Sequence, residues 1–211
     1  MCVSLIEEAV GKYRAAVYGK NEMISTSEIL LKEAKAMATK MVGHAWLFGD
    51  ILDVDWEICA VGLIRAAINA GVAYPDLGRF CMAVVDPDFA RKVKKGDFIV
   101  AGENMGYGHD HDHACLSIKG AGVAAVLCDS TNSNFFRNCV DHGLAVVEYP
   151  GIHAATEQGD ELEIDLAAGR IRNLTKQEEF EFTPYPSSLL AIIGAGGLYA
   201  RLKQQISQGT V

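Results

Sequence analysis

Phe98-Ile99-Val100-Ala101 after the turn Gly96-Asp97, then Val123-Ala124-Ala125-Val126-Leu127-Cys128, then Leu144-Ala145-Val146-Val147-Glu148-Tyr149: three short apolar runs recur between residues 98 and 149, and they decide the fold. Each has strand length and almost no polar interruption, the pattern of a strand covered on both faces. Two helical segments separate them. One is short and centred on His113 to Lys119. The other runs from Asn132 to His142, with Phe135, Phe136, Cys139 and Val140 facing inward and Gly143 as its stop. Strand, helix, strand, helix, strand in that order predicts a parallel α/β layer.

Working outward, His44-Ala45-Trp46-Leu47-Phe48 reads as a further strand ending at Gly49-Asp50. Asp160 to Leu166 and Glu179 to Phe182 both alternate apolar and charged residues. With the turn Ala168-Gly169-Arg170 between them, they predict a hairpin with one wet face. A last helix, Ser187 to Ile193, leads through Gly194-Ala195-Gly196-Gly197 into an amphipathic terminal turn. Upstream, Leu5, Ile6, Ala9, Val10, Tyr13 and Ala16 repeat at helical spacing, and Ser25-Thr26-Ser27-Glu28 marks a second helix start. The expected organisation is a helical N-terminal extension, residues 1–42, followed by one α/β domain, residues 43–211. The apolar faces of the extension make it the expected route to a homo-oligomer.

Charge and composition exclude several function classes. With 27 acidic and 19 basic side chains the formal net charge is −8, so no basic face is available to displace counterions from a nucleic acid. The one basic cluster, Arg91 to Lys95, ends in a Gly-Asp turn and reads as solvated. No apolar run approaches the length of a membrane span, and residues 1–8 lack the basic and apolar regions of a secretion signal. A cytoplasmic protein is expected. None of the six cysteines forms Cys-x-x-Cys and most sit in apolar runs, so reduced core thiols are expected, with no zinc site or iron–sulfur cluster held by this chain alone.

Chemistry concentrates in Gly106-Tyr107-Gly108-His109-Asp110-His111-Asp112-His113, where three of the six histidines fall within five residues. The segment follows the C-terminal end of a buried strand and precedes a helix, the place where open α/β sheets collect ligands. Free backbone N–H groups at a helix start favour an anionic ligand there. A solvated polar loop is the alternative.

The stretch from Gly96 to Gly108 resembles the small subunit of 3-isopropylmalate dehydratase and the swivelling domain of aconitase. Further likenesses follow in order: Phe48-Gly49-Asp50-Ile51-Leu52-Asp53-Val54-Asp55, Asp86-Pro87-Asp88-Phe89-Ala90, Lys119-Gly120-Ala121-Gly122-Val123, Phe135-Phe136-Arg137-Asn138, Gly143-Leu144 and Ala195-Gly196-Gly197-Leu198. The resemblance spans roughly residues 44 to 203 and leaves out residues 1–40. It implies a swivelling β/β/α domain that closes over a larger catalytic subunit. In that family the large subunit holds a [4Fe-4S] cluster acting as Lewis acid on the substrate. The small subunit contributes the loop Gly-Cys-Gly-Ser-Ser-Arg-Glu-His-Ala, whose first serine is the base and whose arginine grips a carboxylate.

Here the loop departs from that pattern. His109 stands at the first serine, Asp110 at the second, His111 at the arginine and Asp112 at the glutamate, while His113 and the glycines are kept. Arginine makes a permanent, bidentate fork; histidine offers one donor and a conditional charge. His109 and Asp110 are the candidate bases, since an imidazole or carboxylate exchanges protons without the activation that serine needs. Gly108, His111, Asp53, Asp55 and Arg65 are the candidate substrate-binding residues, Arg65 because it lies where the family places its substrate-selecting loop. The expectation is a hydro-lyase subunit that dehydrates or hydrates a small hydroxy-carboxylic acid, with a different acid favoured over isopropylmalate. Two alternatives remain open: a non-catalytic binding or regulatory relative, and a stand-alone metal-dependent hydratase. For the latter, alternate histidines in an extended loop share one face, but a helix beginning near His111 would break it, and no residue is assigned to a metal.

Overall fold

The computed structural model describes residues 39–72 and 74–209. The expected helical extension falls on residues 1–38, outside the described part, apart from its last four positions, 39–42.

Three strands form where the apolar runs predict them: β2 (Phe98–Ala101), β3 (Ala125–Cys128) and β4 (Ala145–Glu148). β2 and β3 are buried at every position, and β4 at all but Glu148. They pair in parallel, Phe98 opposite Ala125 and Ala125 opposite Ala145. The connections are α3 (His113–Gly120) and α4 (Ser133–Asp141), both read from sequence. Asn132 caps α4 by accepting from the Asn134 N–H at 3.0 Å.

β1 (Lys40–Leu47) joins two kinds of sheet. It runs parallel to β2, Ala45 opposite Phe98, and antiparallel to β5 (Glu161–Asp165), Lys40 opposite Asp165. The strand starts three residues before the expected boundary at 43. Residues 40–42 pair with Glu163–Asp165 and so extend the ladder, which a period-based reading of residues 40–42 alone does not reveal.

One expectation is corrected. Residues 160–166 and 179–182 are not neighbours in a hairpin, because β6 (Arg170–Asn173) lies between β5 and β7 (Glu178–Glu181). The sheet order is β4-β3-β2-β1-β5-β6-β7. β6 escapes a hydropathy reading because only Ile171 is apolar. Its other inward residue, Asn173, is buried and donates to Asp160 Oδ2 at 2.7 Å.

Period-two alternation builds two cores. Ile99, Ala101, Val126, Cys128 and Val146 pack under α3 and α4 with Cys115, Ile118, Phe135 and Cys139. On the opposite face Phe98, Val100, Leu127 and Val147 pack with Leu162, Ile164 and Ile171 from the antiparallel strands. The sheet therefore curls so that its antiparallel part covers its parallel part, a mixed β/β/α half-barrel. Two further helices, α6 (Ser187–Gly194) and α7 (Leu198–Ser207), follow it; α5 is the single turn Ile152–Ala155. Among the described residues no helix is long and apolar enough to cross a membrane. Before β2, residues 54–92 form a π-helix (Val54–Ile58), α1 (Val61–Asn69), a 3-10 helix (Tyr74–Phe80) and the short α2 (Phe89–Lys92). Arg91 and Lys92 of the basic cluster pair locally with Asp88.

Asp97, at the head of β2, is 4% exposed. Its carboxylate accepts from the Trp46 indole N–H at 3.0 Å and from the amides of Lys94 at 2.9 Å and His44 at 3.1 Å. Burial pushes this carboxyl up, but those donors outweigh it and hold it below the usual carboxylate range. A depressed folded value stabilises the fold above about pH 4, the unfolded range, and the contribution is lost as pH falls through the folded value. Asp97→Asn is expected to cost about 1–3 kcal/mol at neutral pH. Urea unfolding at pH 7 and pH 3 checks it, since the gap between variant and parent narrows at the lower pH.

Candidate active site

The histidine loop leaves β2 and is laid along the segment that follows β1. Leu52 O accepts from the Gly106 and Tyr107 amides, both at 3.0 Å, and the Val54 amide donates to Tyr107 O at 2.8 Å. Two glycines make this approach possible. Gly106 (φ +78°) sits where a Cβ would lie 2.1 Å from the Phe135 ring, and Gly108 (φ +102°) where a Cβ would lie 2.9 Å from Asp53 Oδ2. Both have the left-handed backbone that glycine adopts at no steric cost. Gly106→Ala is expected to cost about 2–4 kcal/mol through overpacking and backbone strain, read as a lowered thermal midpoint.

Asp53 organises the floor of the site. Its Oδ1 accepts from the Asp55 and Trp56 amides at 2.7 and 3.0 Å, and its own amide donates to Glu57 Oε2 at 2.8 Å, a reciprocal cap on the π-helix. That cap fixes Asp55 in the first turn with its carboxylate under the loop, 7% exposed. The three histidines close on it. His109 Nδ1 donates to Oδ2 and His111 Nδ1 to Oδ1, each at 2.8 Å. His113 Nε2 lies 3.4 Å from Oδ1 and 3.3 Å from Val54 O. The rings of His109 and His111 stack at 5.3 Å and 18°, and His113 follows at 5.5 Å from His111. α3 begins at His113, so residues 109–111 stay outside the helix and the shared face survives.

Other contacts hold the loop from outside. Asn138 Nδ2 donates to Asp110 O at 2.9 Å, and His142 Nε2 lies 3.3 Å from Asp112 Oδ2. The electrostatics follow from burial and pairing. Burial pushes the Asp55 carboxyl up, but hydrogen bonds from His111 and His109 and the nearby imidazoles bring it below its usual value. The hydrogen bond to Asp55 raises His111, while burial lowers His113 despite the adjacent carboxylate.

Of the residues expected from sequence, His109, His111 and Asp55 meet directly, with Asp53 and Gly108 beneath them. Asp110 is exposed beside them. Arg65 is exposed on α1 and takes no part in the hydrogen-bond set around Asp55. His113, which the sequence placed in the alternating histidine set but not among the candidate site residues, joins them at Asp55 Oδ1.

A carboxylate holding imidazole Nδ1–H fixes the tautomer whose Nε2 carries the lone pair, the arrangement of an oriented general base. His109 fits it best, since its side chain is 75% exposed above an Asp55 side chain that is 11% exposed.

A curled β/β/α sheet with its polar constellation past the C-terminal end of a parallel strand defines the swivelling-domain class of aconitase-type hydro-lyases. Residues 71–151 match the aconitase C-terminal domain. The chain is 41% identical over 165 residues to the 3-isopropylmalate dehydratase small subunit of Halothermothrix orenii, covering 78% of this chain and 96% of that one. It is 37% identical over 172 residues to the isopropylmalate/citramalate isomerase small subunit of Methanocaldococcus jannaschii, covering 82% and 99%. The crystal structure of 3-isopropylmalate dehydratase from that organism superposes with a TM-score of 0.72 at 32% identity, over 81% of this chain and 98% of the other. The chain belongs to the 3-isopropylmalate dehydratase small-subunit family, and is a hydro-lyase subunit.

Proposed function

We propose that this chain covers the active site of a large dehydratase subunit and, with it, moves water on or off a small hydroxy-carboxylic acid that is not isopropylmalate. The observation that carries the proposal is the pair of 2.8 Å bonds from His109 and His111 to the buried Asp55 carboxylate, at the loop positions where the family resemblance puts serine and arginine. The relatives' names attach them to isopropylmalate and citramalate, which sets the class of acid.

The cysteines among the described residues suit a cluster held by the partner. Cys59, Cys81, Cys115, Cys128 and Cys139 are all buried. Burial pushes Cys59 up to about 11 and raises Cys81, Cys128 and Cys139 as well, as expected of reduced core thiols. A [4Fe-4S] cluster on the partner would supply Lewis-acid polarisation of the substrate hydroxyl and carboxylate.

This chain supplies the proton chemistry. His109 Nε2 takes the proton from the carbon beside the departing hydroxyl, with Asp55 stabilising the imidazolium that forms, and returns it in the hydration direction. Asp110 stands next to it as the second candidate for that transfer. As the imidazolium that its bond to Asp55 favours, His111 offers its Nε2–H as a single donor to a substrate carboxylate, and Gly108 lets the backbone come close. Rigid closure of the domain over the partner would exclude water.

The chain, co-purified anaerobically with a dehydratase large subunit, is to be screened against a panel of small hydroxy-acids. Faster turnover of another hydroxy-acid than of isopropylmalate supports the proposal. Turnover of isopropylmalate above every other acid sinks the changed specificity, and no turnover of any acid sinks the hydro-lyase pairing.

A further inference from the structure

Three nitrogen-bearing rings around one carboxylate are more than a base needs. His109 alone accounts for a base and its orienting group. His111 and His113 both crowd Asp55 Oδ1, at 2.8 and 3.4 Å. One ligand atom each from Asp55, His111 and His113 lies within 4.8 Å of the others. In a tetrahedral site with bonds of about 2.0–2.1 Å, neighbouring ligand atoms sit about 3.3 Å apart. The observed separations bracket that value, so the three ligand atoms already lie within reach of one ion.

We infer that Asp55, His111 and His113 form a site for a divalent transition-metal ion, whose open coordination position takes a carboxylate of the hydroxy-acid. This departs from the sequence expectation, in which no residue is assigned to a metal, and it rests on the reading above that the loop faces the substrate. It is not the stand-alone hydratase: the ion's part is to hold, and the proton still moves through His109.

The donor set selects the ion. Two imidazoles and one carboxylate suit Zn²⁺, Fe²⁺, Co²⁺ or Ni²⁺, and not Mg²⁺ or Ca²⁺, which prefer all-oxygen sites. The support behind the ligands is present. The Asp53 cap fixes the Asp55 backbone, and Asp55 Oδ2 remains bonded to His109, so one carboxylate joins the ion to the base. His113 and Asp55 are 8% and 7% exposed, while the side chain of His111 is 52% exposed. Ligands on the buried side and solvent on the other leave the open position that a binding or catalytic site needs and a structural site lacks. The chemistry also answers a deficit: where the family resemblance puts a permanently charged arginine, this chain has His111, and a dication restores a fixed positive charge at that place.

The test uses the full 211-residue chain, stripped of metal with a chelator. Zn²⁺ alone is titrated calorimetrically, and Co²⁺ alone is followed by its ligand-field absorption. One ion per chain is expected. His111→Ala and His113→Ala should each weaken binding by at least about 100-fold, as removal of a ligand does at least as strongly as loss of its support. His153→Ala, on α5 away from the loop, should bind as the parent does. His111 is exposed, so its variant keeps the fold, which circular dichroism verifies. Adding malate as a simple hydroxy-acid should shift the Co²⁺ bands. No measurable Zn²⁺ binding, or binding that survives both histidine substitutions, overturns the site; unshifted bands overturn the carboxylate grip. The readout is the ion itself, so failure here is distinct from failure of the hydro-lyase reading, which turnover beside the large subunit tests.

Discussion

His109→Ala is expected to lower kcat of the assembled hydro-lyase by about 10²–10⁴-fold, the contribution of a positioned general base, or about 3–5 kcal/mol of barrier. KM should change little, because the ring that is lost handles a proton and not the carboxylate. The converse variant, His111→Ala, should raise KM with a smaller effect on kcat, since uniform binding is what it removes. Steady-state kinetics on the two variants separate the roles. The geometry behind the contrast is unequal exposure over one shared carboxylate: 75% for the His109 side chain against 52% for His111. Asp110→Ala is the control for the neighbouring candidate. If it removes turnover and His109→Ala does not, the base is the carboxylate, and the Asp55–His109 pair only shapes the loop.

The parallel half of the fold was legible because each of its strands is buried on both faces, and such strands advertise themselves as unbroken apolar runs. β2, β3 and β4 with α3 and α4 appear within a residue or two of where hydropathy and turn residues put them. The antiparallel half was harder. β6 carries Arg170, Arg172 and Asn173 around a single Ile171, and its inward asparagine is satisfied by Asp160, a contact that no local pattern can announce. The same reason limited the site. Three histidines at alternate positions mark a loop with chemistry, but what holds them is Asp55, 54 residues before His109. Asp53 and Asp55 looked alike from sequence, both candidate substrate-binding residues. Folding gives them different work: Asp53 bonds backbone amides and builds the cap, while Asp55 is left to receive the imidazoles. Arg65 illustrates the opposite case, where family position suggested a carboxylate grip and the structure leaves the side chain out of the cluster. Of the expected N-terminal extension, residues 1–38 lie outside the described part, while 40–42 belong to β1.

Asp55→Asn is expected to reduce turnover about as much as His109→Ala, in the range of about 10²–10⁴-fold, by spoiling the tautomer and not by removing the base. An asparagine at 55 can present its oxygen to only one of the two rings and must turn N–H donors toward the other. The buried hydrogen-bond set then lacks an acceptor, which adds a stability cost of about 1–3 kcal/mol, visible as a lower denaturation midpoint. Because Asp55 acts on the reaction through His109, the two losses should not add. The Asp55→Asn, His109→Ala double variant should retain nearly the activity of His109→Ala alone, since groups that act as a unit are strongly non-additive. Additive losses would mean that Asp55 and His109 contribute to the transition state separately, and the oriented-base arrangement would have to be abandoned. Restoring acceptor capacity with Asp55→Glu is a further check, although the longer side chain must fit beneath a loop whose glycine at 108 is already packed against Asp53. Partial recovery of kcat without recovery of stability would show that the carboxylate charge, and not the packing around it, sets the state of His109.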